Sequence, residues 1–114
     1  MRAVFVELPG FARHRDAYLD EAAFVALQRE LMKHPTAGDV IEGAGGLRKL
    51  RFRDARRGKG KRGGLRVIYY WWEGGQQFWL FTIYDKNEAD DLTPAERGRV
   101  KAMIKGELKA RKAR

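Results

Sequence analysis

Two neighbouring segments of the chain each contain a run of apolar residues long enough to occupy both faces of a strand. Residues 65–73 contain the run VIYYWW and residues 76–84 contain the run FWLF, with Gly74 and Gly75 between them. β-Branched and aromatic residues favour strands, and two glycines between such segments predict a two-residue hairpin turn. A strand that lacks a polar face must be covered on both sides. The chain is therefore predicted to fold around a central β-hairpin.

The rest of the chain supplies elements that could cover this hairpin. Apolar spacing predicts a helix over residues 18–34 with Asp20 as its N-cap, and Thr93 with Glu96 forms a capping box ahead of a last helix. A short helical turn is expected over residues 11–15 and a glycine-containing loop over residues 35–46; strands are expected over residues 1–8, 47–53, 65–73 and 76–84. The order is β-α-β-β-β-α. It predicts a single α+β domain over residues 1–114, with a small antiparallel β-sheet and helices packed on one face.

Positive charge is concentrated in two parts of the chain. The net charge is +9, yet residues 1–46 hold five basic and seven acidic residues. Residues 48–66 hold ten basic residues and one acid, and residues 97–114 hold eight basic residues and one acid. A charge distributed in this way indicates an anionic partner, and RNA is the partner that we expect.

Several functional classes are excluded by the motifs. The chain has no cysteine, so a disulfide framework and a thiolate metal site are ruled out. Residues 58–63 match GxGxxG but lead into a strand rather than a helix, which excludes a dinucleotide fold. Neither histidine has the neighbours of a metal site or a catalytic triad, so no metal and no cofactor are expected. Neither a signal peptide nor a membrane span is evident, and a cytoplasmic location is expected.

A set of cations remains as the candidate site. Strand alternation places Leu50 and Phe52 on one face, and Lys49, Arg51 and Arg53 on the other. Arginine offers two parallel donors to phosphate oxygens, and lysine offers a compact charge. Such a cluster can bind a nucleic-acid backbone or stabilise the transition state of phosphate-ester cleavage. The aromatic residues of the hairpin are expected to be mainly core.

Three segments together resemble a known family. GGLRKLRF, then GKGKRGGLRVIYY, then FTIYDKNEADDL are similar in sequence and order to HigB-type toxins of the RelE/ParE superfamily, over essentially the whole chain. These are toxins of bacterial toxin–antitoxin pairs, and the RelE and HigB branches are mRNA interferases that cut messenger RNA in the ribosomal A site. The resemblance implies metal-free chemistry in which the RNA 2′-hydroxyl attacks the adjacent phosphate.

The resemblance also implies roles for individual residues. Lys49 and Arg51 match the basic pair of the family, of which one acts as general base or holds the 2′-oxyanion. Arg66 matches the arginine that grips the scissile phosphate, and Lys86 matches the late basic residue that assists the leaving oxygen. Asp85 stands where a small residue is usual, so it could retune Lys86. The expected RNA-binding residues are Arg48, Arg53, Arg56, Arg57, Lys59, Lys61, Arg62 and Tyr84.

The direction of Tyr84 depends on the hairpin register. A two-residue turn at Gly74-Gly75 pairs Arg66 with Ile83 and directs Tyr84 to the opposite face, whereas a slip of one residue reverses this. Some family members carry a tyrosine in the C-terminal segment that stacks on the codon, and residues 89–99 contain no aromatic residue. Tyr84 is therefore the candidate for stacking only if the register is shifted.

The family implies partners as well as a substrate. These are messenger RNA, the ribosome with its RNA, and a helix-turn-helix antitoxin similar to HigA, with the toxin–antitoxin complex binding operator DNA. Two other functions stay open at this point: a ParE-like inhibitor of DNA gyrase, and an RNA-binding module without catalysis.

Overall fold

The computed structural model describes residues 2–54, 64–86 and 92–112. Over these ranges, five strands form one sheet in the order β1-β5-β4-β3-β2. The elements are β1 (Val4–Glu7), α1 (Pro9–Tyr18), α2 (Glu21–Lys33), β2 (Asp39–Val40), β3 (Arg48–Phe52), β4 (Leu65–Trp72), β5 (Gln77–Asp85) and α3 (Pro94–Lys112). The predicted α+β class is confirmed, and the two most apolar strands lie at the centre of the sheet.

The sheet is mixed, whereas the sequence predicted an antiparallel one. β1 pairs with β5 in the parallel direction, and the neighbouring pairs are antiparallel. Parallel neighbours need a long connection between them, and the chain between β1 and β5 contains α1 and α2. The alternation of side chains in a short strand is the same in both directions, so the sequence of β1 alone does not reveal its partner.

The helices cover both faces of the sheet, not one face as predicted. Phe11 of α1 and Leu27 of α2 pack with Val67 and Ile83 on what we call the α1/α2 face. Ile104 of α3 packs with residues of the opposite side, which we call the α3 face; its buried members are Ala44, Leu47, Ile68 and Trp79. This arrangement satisfies the requirement of β4 and β5 for cover on both sides.

The first helical region is divided into two helices. Pro9 and Gly10, expected to end the first strand, form the first turn of α1, where proline is well tolerated. Asp20 caps α2 as predicted, because the Ala23 N–H donates to Asp20 Oδ1 at 2.8 Å. The break at Leu19 and Asp20 lets α1 and α2 lie against different parts of the same face.

Gly10 allows α1 to approach the sheet very closely. A Cβ atom at this position would lie 2.8 Å from the Phe81 carbonyl oxygen of β5. That distance is shorter than normal van der Waals contact, so the helix can lie at this height only if residue 10 lacks a side chain.

The last helix is fixed at both ends. The predicted capping box is present: the Glu96 N–H donates to Thr93 Oγ1 at 3.1 Å, and the Thr93 N–H donates to Glu96 Oε1 at 2.9 Å. These bonds lower the pKa of the Glu96 carboxyl. Near the other end, the Arg111 guanidinium lies 5.1 Å from the ring centres of both Trp72 and Trp79. In the described part of the chain, no helix has the length and apolar character to span a membrane.

Candidate nucleic-acid interface on the α3 face

The register of β3 and β4 brings three of the predicted cations to one face. Arg51 is directly opposite Arg66, and Lys49 is opposite Ile68, which belongs to the α3 face. Leu50 between them is buried on the α1/α2 face, as the alternation predicted. Lys49, Arg51 and Arg66 are therefore neighbours on the α3 face.

A β-bulge adds Tyr84 to this group. Tyr69 is opposite Leu80 and Ile68 is opposite Thr82, so Phe81 is an extra residue on β5. Beyond the bulge, Arg66 is opposite Tyr84, not Ile83, and Tyr84 packs against the α3-face cluster. The register expected from a simple two-residue turn is thus wrong at this end of the hairpin.

The predicted turn was also wrong, although it is not the cause of the shift. Residues 73–76 form the connection, with a 3₁₀ turn over Glu73–Gly75 and Gln76 at φ 49°. Trp72 is opposite Gln77, which is the pairing that a two-residue turn would also give. The bulge at Phe81 alone therefore shifts the register of β5 by one residue and reverses the faces on which its side chains lie between the turn and the candidate site.

The cations of the site differ in their access to solvent. Arg51 is exposed and Lys49 is half-buried, while Arg66 is only 5% exposed. Arg66 Nη1 donates to its neighbouring Leu65 carbonyl at 3.2 Å, and further contacts hold the side chain. Arg51 is accessible to a phosphate in this state, and Arg66 would have to turn outward to reach one.

Two buried acids lie at the same end of the sheet and had no place in the sequence argument. Asp54 and Asp85 are fully buried, and both have partners within the protein. Asp85 is opposite Leu65, and its position in the alternation puts it on the α1/α2 face, whereas Lys86 is exposed. Each acid follows a buried apolar residue by two positions: Asp54 follows Phe52, and Asp85 follows Ile83. Because residues two apart in a strand share a face, this spacing in the sequence indicated that both acids would be buried.

Lys86 and Arg53 lie at the edge of the group. The Lys86 backbone N–H donates to the Gly64 carbonyl at 3.4 Å, which ties the end of β5 to the start of β4. Arg53 is exposed immediately after β3. The predicted RNA-binding residues Arg56, Arg57, Lys59, Lys61 and Arg62 lie outside the described residues.

Arg48 is placed differently from the other basic residues. It is opposite Tyr69 on the α1/α2 face, and its Nη1 donates to the Thr36 carbonyl at 2.9 Å. The Tyr69 hydroxyl donates to the nearby Ala37 carbonyl at 2.6 Å, and burial raises the pKa of Tyr69 to about 12. Arg48 and Tyr69 together hold residues 35–38 against the sheet, which is a structural role.

A cleft opens beside Lys49, between the sheet, the loop of residues 41–47 and the start of α3. It has a volume of about 310 Å³, and its lining includes Lys49, Arg97, Ile68, Asp39 and Glu42. Arg97 was missed by the sequence argument. The signal was its position seven residues before Ile104, which places both on one side of a helix. Arg97 Nη1 donates to the Glu42 carbonyl at 3.4 Å.

The loop beside this cleft is tightly packed. Ala44 and Leu47 are fully buried, and the Ile41 N–H donates to the Leu47 carbonyl at 2.8 Å. Gly45 has a φ of 72°, and a Cβ there would lie 3.1 Å from the Lys101 Cα atom. The loop therefore requires glycine at this position and fixes α3 at its side.

These groups suit the binding of phosphate better than the binding of a metal. Within residues 2–54, 64–86 and 92–112, no cluster of three potential metal-ligating side chains is present. The neighbouring guanidinium and ammonium groups offer charge-assisted donors to phosphate oxygens, and Tyr84 adds an aromatic ring beside them. The surface is able to hold an RNA strand and to stabilise negative charge that develops on a phosphate.

No protein-family model matches the sequence. Among solved structures, the chain is similar to a double mutant of the E. coli toxin RelE in its free state, with a TM-score of 0.54 and 14% identity. The match covers 92% of this chain and 98% of that one. The chain has a RelE-like fold. At this identity the likeness concerns the fold alone.

Proposed function

We propose that this protein is the toxin of a type II toxin–antitoxin pair and cleaves messenger RNA on the translating ribosome. The observation that carries the proposal is the grouping of Lys49, Arg51, Arg66 and Tyr84 on one face of a RelE-like sheet. The resemblance of three sequence segments to HigB-type toxins supports the same function, and it favours the HigB branch within the superfamily.

The proposed reaction needs only side chains and the RNA itself. The 2′-hydroxyl oxygen forms a bond to the adjacent phosphorus, and the bond from phosphorus to the 5′-oxygen breaks. Lys49 receives the 2′-proton as general base, and the guanidinium of Arg51, which stays protonated, holds the 2′-oxyanion. Arg66 binds the phosphate oxygens, and Lys86 gives a proton to the leaving 5′-oxygen. The products are a 2′,3′-cyclic phosphate and a 5′-hydroxyl.

The burial of Arg66 gives the proposal a conformational step. With 5% of its surface exposed, the guanidinium binds its own strand in the free chain. Binding of the RNA phosphate replaces the Leu65 carbonyl as its partner. We expect this exchange to be slow with free RNA and fast when the ribosome presents the strand.

Other residues of the face hold the substrate in place. Tyr84 stacks on a base of the codon, and Arg53 contacts the RNA backbone at the end of β3. The basic residues of the segment 56–62 contact ribosomal RNA, because phosphate contacts position a protein without reading sequence. Arg48 is left out of the proposed contact set because it binds the Thr36 carbonyl on the other face.

An RNA-binding module without catalysis is the second candidate. The observation that favours it is also the burial of Arg66, since an arginine fixed within the fold would leave Arg51, Lys49 and Tyr84 as a binding surface only.

Primer extension on a defined messenger RNA in a translating extract tests the proposal. We expect cuts within codons when the purified chain is added, and no cuts in the same RNA without ribosomes. Arg51→Gln should slow cleavage about 100-fold, as expected for loss of one donor to developing charge. Arg13→Gln, an exposed arginine on α1, is the matched control and should leave the rate unchanged.

Other outcomes identify the other functions. If the chain bound ribosomes and the messenger RNA stayed intact, the RNA-binding module without catalysis would be the remaining function. Intact messenger RNA together with blocked DNA supercoiling would identify a gyrase inhibitor, as for ParE. Either result would exclude the proposed endonuclease.

The proposed partners are an antitoxin and, through it, operator DNA. A HigA-like antitoxin with a helix-turn-helix would neutralise the basic face, and the complex would bind its own operator. Co-expression with the neighbouring open reading frame, followed by a growth assay, tests this part. Ribosomes as the target place the protein in the cytoplasm.

A further inference from the structure

The last helix carries its lysines on one flank. Val100, Ile104 and Leu108 face the sheet. At about 100° per residue, the flank that follows this stripe on one side presents lysines. Its members are Lys101, Lys105, Lys109 and Lys112, and all four are exposed. The opposite flank presents Glu96, Met103 and Glu107.

The lysine flank begins beside the cleft that contains Lys49. Lys101 lies against Gly45 of the loop, so this flank is turned toward the loop and β3. Arg97, one turn earlier, lines the cleft together with Lys49. Cationic groups therefore extend from the cleft, whose lining also includes Asp39 and Glu42, along the helix.

The spacing of the lysines is regular. Successive members of the flank are four residues apart up to Lys109, which corresponds to about 6 Å along the helix axis. This repeat is comparable with the spacing of phosphates along a single nucleic-acid strand.

A purely structural explanation accounts for only part of the flank. Lysines in the last turn stabilise a helix through its dipole, which explains Lys109 and Lys112 but not Lys101 or Lys105. In the part of the chain that the structure describes, none of the four lysines forms an ion pair, whereas Arg111 of the same helix pairs with Glu107 at 3.0 Å. The lysines therefore add exposed charge that the fold does not use.

We infer that this flank binds the backbone of a single RNA strand that continues out of the cleft. The inference rests on the proposed function and extends it, because it identifies the path of the strand beyond the scissile phosphate. The helix is then part of the substrate-binding surface as well as a cover for the sheet.

Two triple variants with equal charge loss test the inference. The first is Lys101→Gln, Lys105→Gln and Lys109→Gln. The second is the control on the α1/α2 side: Arg13→Gln, Arg29→Gln and Lys33→Gln, all exposed residues. Glutamine preserves helix propensity, and circular dichroism verifies that both variants are folded.

Binding is measured by fluorescence anisotropy with 2′-O-methyl oligonucleotides, which cannot be cleaved. One probe has three nucleotides and the other has twelve. We expect the lysine triple to bind the twelve-nucleotide probe at least tenfold more weakly than the control triple, and the three-nucleotide probe equally well. The slope of log K against log salt should fall by about 2 for the long probe if three phosphate contacts are lost.

The inference fails if both triples weaken long RNA equally, if the short probe is equally affected, or if the wild type binds neither probe. It also fails if the lysine triple loses affinity only for a labelled poly-glutamate of similar length, which would identify an acidic protein partner. Cleavage of messenger RNA by the wild type, together with unchanged RNA binding by the lysine triple, would overturn this inference and leave the proposed function intact. If the lysine triple loses affinity for the long RNA but the wild type never cleaves messenger RNA, the inference would stand and the proposed function would be overturned.

Discussion

Arg66 and Tyr84 are direct cross-strand neighbours because β5 contains one residue more than β4 needs. The extra residue is Phe81, at the bulge between the Ile68–Thr82 and Tyr69–Leu80 pairs. Side chains directly opposite each other in an antiparallel pair share a face and come into contact range. An aromatic ring and a guanidinium are thereby placed side by side at the centre of the candidate site.

Tyr84 is predicted to contribute by stacking. Tyr84→Ala should reduce the rate of messenger RNA cleavage roughly 10- to 100-fold, since one base–aromatic stack contributes about 1–3 kcal/mol. Tyr84→Phe retains the ring and should stay within about threefold of the wild type if stacking is the whole effect. Primer extension in a translating extract gives the rates. Equal losses in both variants would show that the hydroxyl, not the ring, is required.

Arg66 is predicted to be important for stability as well as activity. Because its charge is buried with partners, Arg66→Ala should lower the free energy of unfolding by about 3 kcal/mol. Arg51→Gln, at the exposed residue directly opposite, should change it by less than about 0.5 kcal/mol. Urea unfolding measures both values. A stable Arg66→Ala variant would mean that the guanidinium is not held as the fold indicates.

Tyr69 is predicted to make stability sensitive to alkaline pH. Burial raises its pKa to about 12, whereas an exposed tyrosine in the unfolded chain titrates near pH 10. The folded state therefore keeps the proton longer, and the contribution of the neutral hydroxyl is complete below about pH 10 and is lost as the pH rises toward 12. A rise of two units in the pKa of the folded state corresponds to about 3 kcal/mol of folding stability that is lost over this pH range.

Tyr69→Phe serves as the reference for this effect. At neutral pH it should be less stable by about 1–3 kcal/mol, because the Ala37 carbonyl loses its donor. The difference between wild type and variant should shrink above pH 10. A difference that stays constant up to pH 12 would contradict the raised pKa. Unfolding in urea at a series of pH values provides the measurement.

Gly10 is predicted to support the bulge from the other side of the sheet. In Gly10→Ala, the new methyl group would meet the Phe81 carbonyl at 2.8 Å, so either α1 or the bulge must move. We expect a loss of about 1–3 kcal/mol in stability and a reduced cleavage rate, although residue 10 is not on the α3 face. Gly98→Ala is the control. Its Cβ meets nothing within 4 Å, and an alanine within a helix should stabilise by about 0.5–1 kcal/mol.

The sequence indicated those parts of the site that depend on local alternation. Lys49 and Arg51 were assigned to one face because Leu50 and Phe52 had to be buried, and the structure has them there. Tyr84 could not be assigned, because one bulged residue reverses the direction of all side chains beyond it, and no residue type marks a bulge reliably. Alternation within a strand correctly predicts which residues share a face. The face on which Tyr84 lies, however, depends on the bulge at Phe81, which the sequence does not reveal.

The rest of the fold depends on long-range contacts that short patterns do not contain. The parallel pairing of β1 with β5 joins residues more than 70 positions apart, such as Val4 and Gln77. Arg97 joined the cleft only because α3 crosses the face that carries Lys49. The sequence predicted that the central strands needed cover on both sides, but not that α3 would provide the second cover.

The contact of Arg111 with two tryptophans makes the position of α3 optically observable. Trp72 and Trp79 are packed under the end of this helix, each with its ring centre 5.1 Å from the guanidinium. Any partner that lifts α3 from the sheet would expose these indoles to water and remove the adjacent cation. The emission spectrum of the unlabelled protein would then shift to longer wavelength, so the binding of such a partner could be followed in real time without attaching a dye.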